Sequence, residues 1–236
     1  MTRWLILCAA LAGCCCAQTE LAKELSFETA HPAGRPGGWM GGPPDSVFAD
    51  DKVVHGGQWS ARIESKPDNP QGFTALTSRL PMDFAGGEIV LRGWLRTEDV
   101  TGFAGLWMRE DAPSGQVAFD NMASQQLNGT TGWRQYSIRL PLRTEARQLF
   151  FGFLISGTGK AWADDLELLV DGKPVWEAPK AQRAKTALDE DHQFDGGSGV
   201  SLESLSPVQV ENLARLGKIW GFLKYHHPSI TQGKRH

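Results

Sequence analysis

A chain of 236 residues, 41% hydrophobic and 22% charged, has room for one sizeable globular domain with appendages. Its formal charge of −3, with no run of Lys or Arg, argues against a nucleic-acid partner. All 4 cysteines (Cys8, Cys14, Cys15 and Cys16) fall in the first 16 residues, so the remainder can build neither a disulfide framework nor a cysteine-based zinc site. The 27 Gly and 13 Pro suit turn-rich β structure, and 9 Trp against 2 Tyr suit a core or a ligand face built on indoles.

The chain begins like an export signal. Arg3 supplies a positive start, and Trp4 to Ala12 form an apolar run too short to span a bilayer. Leu11-Ala12-Gly13-Cys14 resembles the lipobox of bacterial lipoproteins, which implies cleavage before Cys14 and a lipid on its sulfur. Ordinary cleavage after Ala17 is the alternative, so residues 1–17 are read as a signal peptide in either case. The expected location is the bacterial periplasm or cell envelope, with the membrane as a partner through the lipid.

Residues 24–176 read as strands separated by turns. Trp59 to Ser65 and Phe73 to Leu80 are candidates. Glu88 to Arg96 alternates, with Ile89, Leu91, Gly93 and Leu95 on one face and Val90, Arg92, Trp94 and Arg96 on the other. Ala104 to Arg109 follows. Trp133 to Pro141 turns Tyr136, Ile138 and Leu140 inward. Leu149 to Ser156 is apolar on both faces, as a central strand would be. Ala161 to Val170 places Trp162, Asp164, Leu166, Leu168 and Val170 on one side, and Asp171-Gly172 turns into Pro174-Val175-Trp176. Roughly eight such strands with no helical period predict a mainly β fold, a two-sheet β-sandwich of jelly-roll type.

Residues 177–205 read as a linker, with Asp195-Gly196-Gly197-Ser198-Gly199 as a flexible break. Residues 206–236 start with a helix. Ser206 and Gln209 can form a capping box, Pro207 suits the first helical position, and Pro228 ends the pattern. Val210, Leu213, Leu216, Trp220 and Leu223 recur at three- and four-residue steps and predict an amphipathic helix whose apolar stripe needs a neighbour.

That segment, Leu205-Ser206-Pro207 through Asn212-Leu213-Ala214-Arg215-Leu216-Gly217-Lys218-Ile219-Trp220-Gly221-Phe222-Leu223-Lys224-Tyr225-His226-His227-Pro228, resembles the stretch preceding the catalytic region in bacterial S41 family serine peptidases of the tail-specific and tricorn-like kind. The resemblance covers residues 190–236 and implies that the chain is the front of a larger exported peptidase, with a missing C-terminal catalytic domain as its partner. No catalytic residue is carried over, and no Gly-x-Ser-x-Gly, Ser-x-x-Lys or His-Glu-x-x-His motif occurs. The middle resembles a carbohydrate-binding, galactose-binding-like jelly roll in Gly102 to Arg109, Phe119 to Met122, Gly129 to Trp133 and Gly157 to Asp165.

Two candidate sites follow. By that resemblance, Glu28 and Asp164 occupy the two ligand positions of a structural calcium, and calcium does favour carboxylate oxygens. The alternative is that Asp164 caps a turn or pairs with an Arg. Trp94 and Trp107 lie opposite the clearer apolar rows and could stack on sugar rings, or else both are covered core residues. Trp133 and Trp162 read as packing residues. His226 and His227, adjacent on a helix end, do not share a face and do not form a metal site. Asn128-Gly129-Thr130 matches a glycosylation acceptor that means little in a bacterial chain. Three functions remain open: the accessory front of a peptidase, a stand-alone surface lipoprotein whose sandwich binds a glycan or peptide, or a structural spacer.

Overall fold

The structure, a computed structural model, describes residues 20–67, 72–181, 191–192, 195–197, 204–232 and 234–235. The residues read as a signal, 1–17 with Cys14, and most of those read as a linker, 177–205, lie outside the described residues. The chain divides into two units, Met1–Ala181 and Gln182–His236.

The first unit is an antiparallel β-sandwich. Its strands are β1 (Val47–Asp50), β2 (Ser60–Ser65), β3 (Phe73–Pro81), β4 (Glu88–Ala112), β5 (Gly115–Asp120), β6 (Leu127–Pro141), β7 (Gln148–Ser156), β8 (Gly159–Val170) and β9 (Lys173–Pro174). The pairing order is β1-β2-β8-β4-β7-β3, with β5 and β6 also on β4 and β9 on β8. β4 joins the two layers. Its first half, from Glu88 to Glu98, pairs with β6 and β8, and its second half, from Phe103 to Ala112, pairs with β7 and β5. The sandwich is therefore one sheet folded over along a single 25-residue strand. The sequence shows two separate strands here, because Thr97 to Gly102 is polar except for Val100 and ends in glycine. Cross-strand pairs carry the chain through that gap. Thr97 meets Thr131 with hydroxyls 3.0 Å apart, and Glu98 pairs with Lys160 at 2.8 Å.

Alternation in the first half of β4 follows the predicted faces. Ile89, Leu91 and Leu95 are buried against Ile138, Leu140, Leu168 and Val170. Leu106 and Met108 from the second half bring Leu76, Phe151 and Phe153 into the same core. β7 lies between β4 and β3 and is buried on both faces, as its sequence predicts. Where β5 and β6 part from β4, Met122 closes the gap and its Sδ accepts from the Leu106 N–H at 3.2 Å. Residues 20–25 form a helical turn that brings Leu25 and Phe27 into the core. Trp39 holds this lead-in: its indole donates to the Glu24 carbonyl at 2.9 Å and its ring packs on Phe27 and Phe151.

In the second unit, α1 (Pro207–His226) has the predicted capping box, and α2 (Pro228–Thr231) follows it. Phe222 and Tyr225 fall away from the Leu213, Leu216, Trp220 and Leu223 stripe, so the apolar residues are not confined to one face. None of the helix's residues is buried.

Gly152 of β7 backs so closely on β3 that a Cβ there would lie 1.9 Å from the Leu76 carbonyl oxygen, which belongs to backbone and cannot swing aside. Replacing Gly152 with Ala should cost about 1–3 kcal/mol of unfolding free energy by urea denaturation. A variant as stable as the parent would show that the two strands are not this close.

Candidate functional site

Where β8 passes β4, the ladder slips. Arg92 pairs with Glu167, but Trp94, two residues on, pairs with Asp164, three residues back. The extra residue is accommodated by Asp165, whose φ of 46° lies in the left-handed region. This bulge overturns the strand parity expected for Asp164. Leu166 points into the core, while Asp164 lies on the opposite face with Trp94. Trp162 shares that face, buried, and donates its indole N–H to Asp50 Oδ2 at 2.9 Å.

Asp164 is nonetheless 0% exposed, because the loop of residues 55–59 covers it. Its Oδ2 accepts from the backbone N–H of His55 at 2.8 Å and of Gly56 at 3.1 Å, and its Oδ1 accepts from Asp165 N–H at 2.8 Å. Burial outweighs these three donors and pushes its carboxyl up to about 6. Glu28 holds the other end of the same loop, with Oε1 accepting from Gln58 and Trp59 N–H at 2.7 and 3.0 Å. Gly57 allows this approach: its φ is +59°, and a Cβ would meet Glu28 Oε1 at 2.1 Å. The two residues singled out for calcium thus grip one loop through its backbone. Among the described residues no group of three or more His, Cys, Asp or Glu is arranged to hold a metal ion.

The loop's task is visible in its side chains. His55 stacks on Trp94, with ring centroids 3.9 Å apart and planes at 16°, and meets the edge of Trp133 at 5.8 Å. His55 Nδ1 lies 2.7 Å from Asp165 Oδ2, so the bulge residue fixes the imidazole's rotation. At the other end Trp59 packs on His31 at 4.5 Å, where burial pushes the imidazole pKa down.

Beside this stack lies a cleft of about 510 Å³. Its floor is the outer face of the β4, β6 and β8 layer, with Arg92, Trp94, Gln135 and Glu167; Trp176, Ala22, Leu25 and Ser26 form the walls. Arg92 and Glu167 are cross-strand partners and form an ion pair, each roughly half exposed to the cleft. Trp107 is not part of it. It stands on the second half of β4, paired with Gly152, and is 9% exposed. The two candidate tryptophans therefore lie on different layers. Sequence reasoning missed His55, which reads as part of a His-Gly-Gly turn, and Trp176, which follows the last strand. Neither carries a local signal, since only the fold brings Trp176 to the cleft and His55 onto Trp94 beside it.

No family model matches the chain. A stretch of 118 residues is 33% identical to the uncharacterised HTH-type transcriptional regulator YbfP of Bacillus subtilis (strain 168), covering 49% of this chain and 40% of that protein. The chain thus spans about two fifths of the length of the curated relative it matches. The peptidase resemblance is overturned by this match, which is to a regulator and not to a protease. The expectation of a detached catalytic domain rested on that resemblance alone. The Ser206 to Pro228 segment does carry a capping box, leucines at helical spacing and a terminating proline, features that specify a capped helix and no family.

Among solved structures, the xylan-binding CBM22-1 domain of Paenibacillus barcinonensis Xyn10C aligns at 14% identity over 64% of this chain and 93% of its own, with a TM-score of 0.42. TmCBM61, solved with β-1,4-galactotriose, aligns at 13% over 63% and 96%, TM-score 0.42. A cyclase from Fischerella sp. TAU aligns at 12% over 65% and 96%, TM-score 0.45. Likenesses this distant bear on neither ligand nor activity.

The raised Asp164 carboxyl binds its proton more tightly in the folded than in the unfolded chain. Its contribution to stability is full below its ordinary value of 3.8 and is lost as pH climbs through about 6. Asp164→Asn should flatten this decline in unfolding free energy between about pH 4 and 6. Asp164→Ala should cost at least about 2 kcal/mol at neutral pH by leaving buried N–H groups unpaired. An unchanged pH profile in the Asn variant would show that this carboxyl does not titrate in that range.

Proposed function

We propose that the sandwich is a non-catalytic module that binds a glycan in the cleft over β4, β6 and β8. The observation that carries this reading is the build of the cleft floor. Trp94 is held rigid by His55 on one ring face and sits beside paired polar side chains at a size suited to a few sugar rings. Sugars present apolar C–H faces and hydroxyl edges, and an indole flanked by Arg92, Gln135 and Glu167 offers a surface for each. Pre-ordering matters because a platform already fixed by its neighbours loses little entropy on binding.

The leader-like residues 1–17 favour a place at the cell envelope, where polysaccharide is abundant; in that reading Cys14 carries the lipid. The match to a transcriptional regulator favours a second setting, in which the same cleft is the ligand-sensing part of a larger protein. Mass spectrometry of the mature N-terminus separates them. A diacylated Cys14 is the expected result, and an intact Met1 would favour the second setting.

For the binding itself, Trp94→Ala should weaken affinity for a bound oligosaccharide at least about tenfold by calorimetric titration, equivalent to about 1.4 kcal/mol. Trp107→Phe should leave it unchanged. The reverse pattern, or no binding of any glycan on a broad array by the folded protein, would remove the proposal.

A further inference from the structure

We infer that the cleft selects uncharged sugars over acidic ones, and that Glu167 sets this preference; the inference rests on the glycan reading above. Among the described residues, the charged groups lining the cleft are Arg92, Glu167 and Asp165. Arg92, the one cation among them, is committed to Glu167. Asp165 adds a second carboxylate, held against His55 Nδ1. The Arg92–Glu167 pair cancels its own charge, so Asp165 leaves the lining residues net negative.

Such a pair suits hydroxyls and opposes carboxylates. A sugar hydroxyl donates and accepts at once, so neighbouring hydroxyls can bond to a guanidinium and a carboxylate set side by side. Both side chains are roughly half exposed and can take these bonds without breaking their own pair. The carboxylate of a uronate, or a sulfate group, has only acceptors. It would have to draw Arg92 from Glu167 and would then leave two carboxylates facing its own charge. Discrimination against acids is thus built from a repulsive group, and Glu167 is the nearer of the two to the only lining cation.

The test is calorimetric titration of the full chain at pH 7 with cello-, manno- and galacto-tetraose, each beside the tetrasaccharide oxidised to uronate at C6. For whichever neutral sugar binds, the uronate should bind at least about tenfold more weakly. Glu167→Gln keeps the shape and frees the guanidinium, and should raise uronate affinity at least about tenfold. Adding Arg92→Gln should abolish that gain. Equal or tighter uronate binding by the parent protein overturns the inference while leaving the glycan reading intact, as does a Glu167→Gln variant with unaltered selectivity. Failure of all six sugars to bind folded protein overturns both. If Glu167→Gln does not fold, the parent's neutral-to-uronate ratio still decides.

Discussion

Asp164 has no exposure to solvent and yet belongs to the outer face of its sheet. Both facts hold because its two oxygens are met by three backbone N–H groups, two of them from a loop more than a hundred residues earlier in the chain. Removing a carboxylate from water is costly unless such donors replace the water, so the loop and the carboxylate require each other. The rest of the site depends on this contact. Once residues 55–56 are fastened, His55 is set over Trp94, and Asp165, one residue further on, holds the imidazole's rotation. Glu28 secures the far end of the loop in the same way.

The bulge that makes this possible is small. One additional residue in β8, with Asp165 in a left-handed conformation, moves Asp164 across the sheet relative to a regular ladder. Such conformations cost energy in residues with a side chain and persist where their surroundings fix them. Here the surroundings are the His55 imidazole and the loop amides, so local strain and the shape of the proposed binding face have one origin. β4 provides the remaining order. Because a single strand serves both layers, Trp94 and Trp107 stand 13 positions apart on one strand and in different layers.

Much of the sandwich was legible in the sequence. The alternation of Ile89, Leu91 and Leu95 against Arg92 and Trp94 is a period-two signal that tertiary structure left in place. The double-sided apolar run of β7 was equally plain. β1 and β5 were not legible, being short segments at sheet margins with little to bury. The continuity of β4 was hidden because Thr97 to Gly102 is stabilised by cross-strand polar pairs, which leave no hydrophobic pattern. The candidate site was only partly legible. Trp94 announced itself by parity, and Asp164 by its position among apolar neighbours, but parity then misplaced Asp164 because a bulge cannot be counted from one strand alone. His55 and Trp176 have no local signature at all. The terminal helix teaches the opposite lesson: its cap and spacing were read correctly, while the peptidase family read from the residues of the same segment is contradicted by the regulator match.

The site stands or falls on whether ligand binds the Trp94 indole that His55 holds from its other ring face. It is tested most directly by recording the indole N–H resonances of the nine tryptophans by two-dimensional NMR during titration with a bound neutral oligosaccharide. The signals of Trp94 and Trp176 should move together and saturate at one affinity, while those of Trp107 and Trp220 stay in place. Saturable shifts confined to Trp107, with Trp94 unmoved, would contradict it.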